Sequence, residues 1–209
     1  MAEVKFKQKS NTSLPLMEHF YTIQGEGYNT GRAAYFLRLA GCDVGCVWCD
    51  VKESWDETQH PKIEIAEMVY HVKNAKADFC VITGGEPAIY NLSGLTEELK
   101  KINIEIAIET SGAYPLVGVF DWVCLSPKKF KPALKTVFDM ANELKVVIYH
   151  KSDFDWAEEQ AKRVNAKCLL YLQPEWEKKE QILPLIIDYV KENPKWRISL
   201  QTHKYINVP

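Results

Sequence analysis

The stretch Gly41-Cys42-Asp43-Val44-Gly45-Cys46-Val47-Trp48-Cys49-Asp50 sets three thiols within eight residues, separated by three residues and then by two. A loop this short turns all three sulfurs toward one point if they act together. Three thiolates leave one corner of a cuboidal iron–sulfur cluster without a protein ligand, and an open iron binds a substrate or cofactor. A tetrahedral structural zinc site asks instead for a fourth Cys or His close by. The nearest histidine, His60, lies eleven residues on, beyond a charged stretch, and no second CxxC pair occurs. The spacing therefore predicts a [4Fe-4S] cluster on Cys42, Cys46 and Cys49. A zinc-stabilised binding module is the alternative of another class.

Outward from this loop, apolar runs alternate with helical patterns. Ala33 to Ala40 is strand-like, interrupted by Arg38, and ends at the cysteines. A charge inside such a run is costly unless paired. Arg38 is therefore either ion-paired or an inward guanidinium fork for a carboxylate. Phe79 to Ile82 runs into Thr83-Gly84-Gly85-Glu86-Pro87, and Ile104 to Ile108 into Glu109-Thr110-Ser111-Gly112. Trp122 to Leu125 ends at Ser126-Pro127-Lys128, and Cys168 to Leu172 ends at Gln173-Pro174-Glu175. Leu144 to Ile148 and Arg197 to Leu200 complete the strands, and Glu18 to Tyr21 lead into a Gly25-Glu26-Gly27 loop. Helices are expected from Pro61 through Val72, across Leu92 to Leu99, over Asp155–Val164 and over Lys178–Lys191, by their apolar spacing. Ligands of parallel α/β proteins bind at the carboxyl ends of the strands. The pattern predicts an α/β fold, a parallel sheet curled into a partial six-stranded barrel, with 1–209 as one domain.

Composition narrows the function. The 209 residues are 46% hydrophobic and 26% charged with a net charge of −2, so the basic surplus of a nucleic-acid binder is missing. Met1 to Ser13 is polar, and nothing approaches the roughly 20 apolar residues of a membrane span. The expected location is a reducing cytoplasm, with Cys80, Cys124 and Cys168 as buried packing residues. Lys128, Lys129, Lys131 and Lys135 form one basic cluster, read as a solvated loop except at Lys128.

The CxxxCxxC spacing and the Gly-Gly-Glu tag resemble those of radical S-adenosylmethionine (SAM) enzymes. In that class the open iron chelates the amino and carboxylate groups of SAM, and one-electron reduction of the sulfonium releases a 5′-deoxyadenosyl radical. The chain further resembles the 7-carboxy-7-deazaguanine synthase family of queuosine and deazapurine biosynthesis. The matching stretches are Phe20 to Gly27, Arg38 with Cys42, Thr83 to Pro87, Glu109-Thr110, Ser126 to Lys128, Glu143 to Lys145, and Gln201 to Pro209. The resemblance implies conversion of 6-carboxy-5,6,7,8-tetrahydropterin to 7-carboxy-7-deazaguanine with loss of ammonia. It assigns the pterin to Ile23, Gln24, Gly25, Glu26, Arg38, Thr83, His203 and Pro209, with the terminal carboxylate on the pterin edge. It assigns SAM to Gly85, Glu86, Glu109, Ser126, Pro127, Lys128, Gln173, Pro174, Glu175 and Trp176. It also implies a homodimer, a reductant such as a flavodoxin, and magnesium near the substrate carboxylate. Val51 departs from the family pattern here, since a Thr or Ser hydroxyl is the usual magnesium ligand at that position; either Asp50 or Ser54 substitutes, or the metal is dispensable in this chain. A small glycyl-radical-enzyme activase is the alternative within enzymes.

Overall fold

The computed structural model describes residues 12–209. β1 (Ser13–Ile23) and β2 (Ala33–Leu39) form an antiparallel hairpin, and β3 (Lys62–Glu64) pairs antiparallel with the start of β1. β4 (Phe79–Gly84), β5 (Glu105–Thr110), β6 (Trp122–Leu125), β7 (Glu143–Ile148), β8 (Leu169–Pro174) and β9 (Trp196–Ile198) then follow β2 in order, each parallel to its neighbour. The helices are α1 (Ile65–Asn74), α2 (Ser93–Lys101), α3 (Lys135–Met140), α4 (Asp153–Ala161), α5 (Lys179–Glu192) and the short α6 (Thr202–Ile206). The six expected parallel strands are β2 and β4 to β8.

Two expectations need correction. Glu18 to Tyr21 belong to a full strand, β1, which had no clean period-2 pattern because its middle is half exposed. Pro61 does not open a helix. Lys62–Glu64 pairs with β1 first, and α1 begins only at Ile65.

Side chains on a strand alternate between faces, and here the alternation sorts packing from chemistry. Leu37, Leu39, Cys80, Ile82, Ile106 and Ile108 point outward into one core with α1 and α2. Leu125, Leu144, Val146, Ile148 and Leu172 do the same against α3, α4 and α5. Burying each such aliphatic side chain contributes about 1.5–3 kcal/mol relative to leaving it exposed. The intervening residues point inward. At the bottom they are Ala34, Phe36, Phe79, Val81 and Ala107, a small apolar plug. Higher up the same rows become polar: Arg38 pairs in register with Thr83, Glu109 with Cys124, and Val147 with Gln173.

β9 does not pair back onto β1, so the barrel is open on one side among the described residues. Hydrogen bonds between loop segments span the gap instead. The Gly27 amide donates to Ser199 Oγ (2.9 Å) and the Thr202 amide donates to the Gly25 carbonyl (2.8 Å).

Candidate active site

The inward polar residues surround a cavity of about 270 Å³ at the carboxyl ends of the parallel strands. Cys42, Cys46 and Cys49 form one wall, fixed from behind by backbone. Gly41 donates to the Ser54 carbonyl (2.6 Å), Cys42 to the Trp55 carbonyl (3.1 Å), and Glu86 to the Gly41 carbonyl (2.9 Å). Gly85 is required for that approach, since a Cβ there would lie 2.5 Å from the Gly41 oxygen. The buried Tyr90 hydroxyl donates to the Ala40 carbonyl (2.9 Å) and also meets the Glu57 carboxylate.

All three cysteines of the loop are free thiols, and burial pushes Cys42 and Cys46 up from the ordinary thiol value. Among the described residues no three His, Cys, Asp or Glu side chains converge as a single metal ion requires. The thiols therefore share a wall rather than a point. Three soft donors, spread along a cavity wall with no fourth Cys or His beside them, fit a cluster that keeps one iron open. They do not fit a closed zinc site.

The Glu86 carboxylate is turned to internal partners. It is 1% exposed, and each carboxylate oxygen already accepts two donors. Oε1 takes the Ala88 amide (3.0 Å) and the Thr110 hydroxyl (2.6 Å), while Oε2 takes the Ser111 amide (2.8 Å) and the Ser111 hydroxyl. With its acceptor sites filled, Glu86 ties the end of β4 to the end of β5. Gly85, Thr110 and Ser111 line the cavity beside it, and the last two were not singled out as ligands from the sequence.

The inner floor is a charge network that strand patterning alone hides. Lys145 on β7 is 3% exposed, donates to Glu109 (3.0 Å) and pairs with Glu26. Burial would raise the Glu26 pKa, but the Lys145 ammonium overrides this and brings it down to about 2. Lys145 itself is held well above the usual lysine value: burial opposes the charge, and surrounding acidic groups outweigh it. Glu143, one inward step before Lys145, accepts from the Tyr28 amide (3.0 Å) and the Trp122 indole (3.1 Å), and burial raises its pKa. Cys124 is buried, as expected, and faces this group, 3.6 Å from Glu143, rather than the outer cores. The usable signal was the triplet Glu143-Leu144-Lys145, whose two charges share one face of an otherwise apolar strand.

The remaining expected residues fall as follows. Arg38 lines the cavity, its Nε held by Glu18 (2.6 Å); its two terminal nitrogens have no partner among the described residues. The ion-paired reading of Arg38 is seen directly, and the free edge of the guanidinium faces the cavity. Gln24 is bound internally, accepting from the Glu26 amide and donating to Glu109 (both 3.0 Å), so it braces the floor. A Cβ on Gly25 would lie 2.6 Å from the His203 backbone nitrogen, which is why α6 packs so closely there. His203 is half-buried, and burial lowers its pKa. Ile23, Thr83, His203 and Pro209 line the cavity, with Thr22 Oγ1 donating to the Pro209 carbonyl (3.3 Å).

On the opposite wall stand Ser126, Lys128, Gln173, Pro174, Glu175 and Trp176. Lys128 donates to the Ser126 carbonyl (2.8 Å), and burial lowers its pKa. Glu175 accepts from the Glu177 (3.2 Å) and Lys178 (3.1 Å) amides, fixing the turn into α5. Pro127 is buried behind the wall and does not line it. The magnesium substitutes fare worse. Ser54 is fully buried, its hydroxyl spent on the Val51 carbonyl (2.7 Å), and it does not face the cavity. Asp50 does, but one oxygen accepts from Lys204 (3.0 Å) and Gln201 (3.4 Å). With Val51 offering no oxygen, these side chains do not fit a hard-cation site.

The Radical SAM superfamily profile matches residues 37–138, the span from β2 to α3. The chain is 54% identical to the 7-carboxy-7-deazaguanine synthase of Flavobacterium psychrophilum, covering 99% of this chain and 98% of the relative. It is 47% identical to that of Synechocystis sp., covering 94% of each, and 33% identical to that of Escherichia coli K12, covering 93% and 98%. The crystal structure of QueE from Escherichia coli superposes with a TM-score of 0.82 at 32% identity, covering 91% of this chain and 95% of that one. Similarity of this depth over nearly the whole length, on top of the three-cysteine wall, places the chain in the 7-carboxy-7-deazaguanine synthase family of the Radical SAM superfamily.

Proposed function

We propose that this enzyme forms 7-carboxy-7-deazaguanine from 6-carboxy-5,6,7,8-tetrahydropterin, with ring contraction and loss of ammonia. The observation that carries the reading is that one cavity holds the three cysteines, the Gly-Gly-Glu tag, Arg38 and the Lys145 network together. Membership of the superfamily implies a [4Fe-4S] cluster and SAM. Cys42, Cys46 and Cys49 would hold the cluster, and what it supplies with SAM is reductive cleavage of the sulfonium, which starts radical chemistry.

The chain's own residues divide the remaining work. The free edge of the Arg38 guanidinium suits a substrate carboxylate, as a planar fork. Lys145 holds Glu26 ionised and also pairs with Glu109, so the floor presents acceptors to the donor-rich edge of a pterin. Lys145 keeps its proton and serves as an anchor, not as a base. Phe20, Phe36 and Trp55 add apolar wall, which keeps water from a reactive centre. Gly85, Ser126, Lys128 and the Gln173 to Trp176 segment form the side available to SAM.

A magnesium requirement is weak or absent in this reading, because Val51, Ser54 and the engaged Asp50 offer no ready set of ligands. A single domain over 1–209 is supported by one continuous sheet, although residues 1–11, within the polar Met1 to Ser13 segment, lie outside the described residues. No helix among the described residues is long and apolar enough to cross a membrane. A cytoplasmic location rests on the cysteine usage, and a homodimer and a flavodoxin-type reductant rest on the resemblance. The test is anaerobic incubation with dithionite, SAM and the carboxylated tetrahydropterin, followed by mass analysis. Appearance of 7-carboxy-7-deazaguanine with SAM unconsumed supports the reading; cleavage of SAM without the deazapurine refutes it.

A further inference from the structure

A cavity that receives an anionic substrate must answer each carboxylate on its own wall with a donor or a cation. Among the described residues five carboxylates line it: Glu26, Asp50, Glu86, Glu109 and Glu175. Glu26 and Glu109 are paired with Lys145, and Glu86 and Glu175 accept backbone amides. Asp50 has neither Lys145 nor a backbone donor. It follows Cys49 at the rim, its side chain is 56% exposed, and its Oδ2 accepts from Lys204 Nζ (3.0 Å) and Gln201 Nε2 (3.4 Å).

Lys204 is itself held in place. Its ammonium lies 4.8 Å from the centre of the Trp176 ring, and its side chain is only 23% exposed. Lys179 stands 4.2 Å from the same ring, but its ion pair is with the exposed Glu180 (3.9 Å), which does not line the cavity. Both members of the Asp50–Lys204 pair act on His203 in the cavity, Asp50 favouring its protonation and Lys204 opposing it. A pair this exposed adds little stability, so its effect falls on the charge of the rim.

We propose that Lys204 is a built-in counter-charge: it neutralises Asp50, so that a substrate carboxylate held by Arg38 meets no repulsion at this rim and needs no divalent cation there. The inference rests on the pterin reading, which supplies the substrate's negative charge. Residue 51, where the resemblance puts a cation beside the substrate carboxylate, is the neighbour of Asp50. Val51, Ser54 and the engaged Asp50 do not fit a hard-cation site, and the ammonium on Asp50 accounts for that misfit. Lys204 works through Asp50 and not on the reacting atoms, so it is a positioning residue.

The test is anaerobic calorimetry on the oxidised holoenzyme with SAM. The probes are 6-carboxy-5,6,7,8-tetrahydropterin and tetrahydropterin without the carboxylate, each with and without Mg²⁺. Lys204→Gln should weaken binding of the first about tenfold, equivalent to about 1.4 kcal/mol, and leave the second unchanged. Added Mg²⁺ should restore the variant, whose Asp50 is now free, and should not alter the unsubstituted enzyme. Lys204→Arg should bind like the unsubstituted enzyme. Asp50→Asn/Lys204→Gln should recover affinity, because the rim is neutral again, a rescue that a lost structural contact would not show. Unchanged affinity in Lys204→Gln overturns the proposal, as does an equal loss for both pterins. A double variant as weak as the single one also overturns it. Binding without formation of the deazapurine by the unsubstituted enzyme would fail the reaction reading alone, and no binding of the carboxylated pterin would fail both.

Discussion

At the scale of single residues, the site depends on charges that sit where apolar side chains are expected. Lys145 is the clearest case, being almost wholly buried between Glu26 and Glu109. Replacing it by Met leaves two carboxylates without their counter-charge, and breaking a buried pair from one side costs about 3–5 kcal/mol. The pH dependence should change sign as well. In the native protein Glu26 has a pKa near 2 against an ordinary 4.5, so its stabilisation is present above pH 4.5 and is lost as pH falls toward 2. Without Lys145, burial dominates and raises that pKa, so the variant should gain relative stability on acidification through the same range. Urea unfolding midpoints across that range check this; parallel pH curves for the two proteins would refute it. Val51 carries a second residue-scale expectation. Chelation of divalent ions should leave turnover unchanged, and Mn²⁺ should show no tight binding by electron paramagnetic resonance, while Val51→Thr should create a measurable response. A strong magnesium activation of the unsubstituted enzyme would show that other oxygens supply the site.

At the scale of elements, what could be read from the sequence followed period and spacing. β4, β5, β6 and β8 carry continuous apolar runs that end in polar tags, so their tags were recognisable as cavity residues before any coordinates. β1 was not, because a strand with exposed Glu18 and Tyr21 in its second half looks like a leader to a loop. For Glu86 the sequence shows a carboxylate and not the donors that already fill it. The Gln24–Glu26–Lys145–Glu109 floor joins β7 to Glu26, 119 positions earlier, and to Glu109, 36 positions earlier, distances that local patterning does not see. The junction of the Gly25 loop with α6 tests this level. A Cβ at residue 25 collides with His203 side chain and backbone, so Gly25→Ala should displace α6 and with it His203. Substrate affinity should drop while iron content and SAM binding hold, measured by KM and by metal analysis. Loss of iron in that variant would mean that the α6 contact supports the whole cavity.

At the scale of the whole molecule, the consequence of an open sheet is a seam. Parallel strands β2 and β4 to β9 hold one another by continuous ladders, but across the opening the chain relies on a few bonds made near Ser199. This residue is 2% exposed; its hydroxyl accepts from the Gly27 amide (2.9 Å) and donates to Gln173 Oε1 (2.7 Å). It therefore joins the loop after β1 to the end of β8, and the cavity lies between those two walls. Ser199→Ala removes the acceptor and leaves a buried amide unsatisfied, which costs about 1–3 kcal/mol. Because the ladders do not depend on this hydroxyl, the loss should appear as local opening rather than global unfolding. Hydrogen exchange should quicken at residues 24–27 and 199–203 and remain slow in β4 to β7. Catalytically, KM for the pterin should rise more than kcat falls, since the seam positions Gln24, Glu26 and His203 rather than the cysteine wall. Uniformly faster exchange throughout the sheet would instead make Ser199 part of the global fold, and the seam would then have no separate role in closing the site.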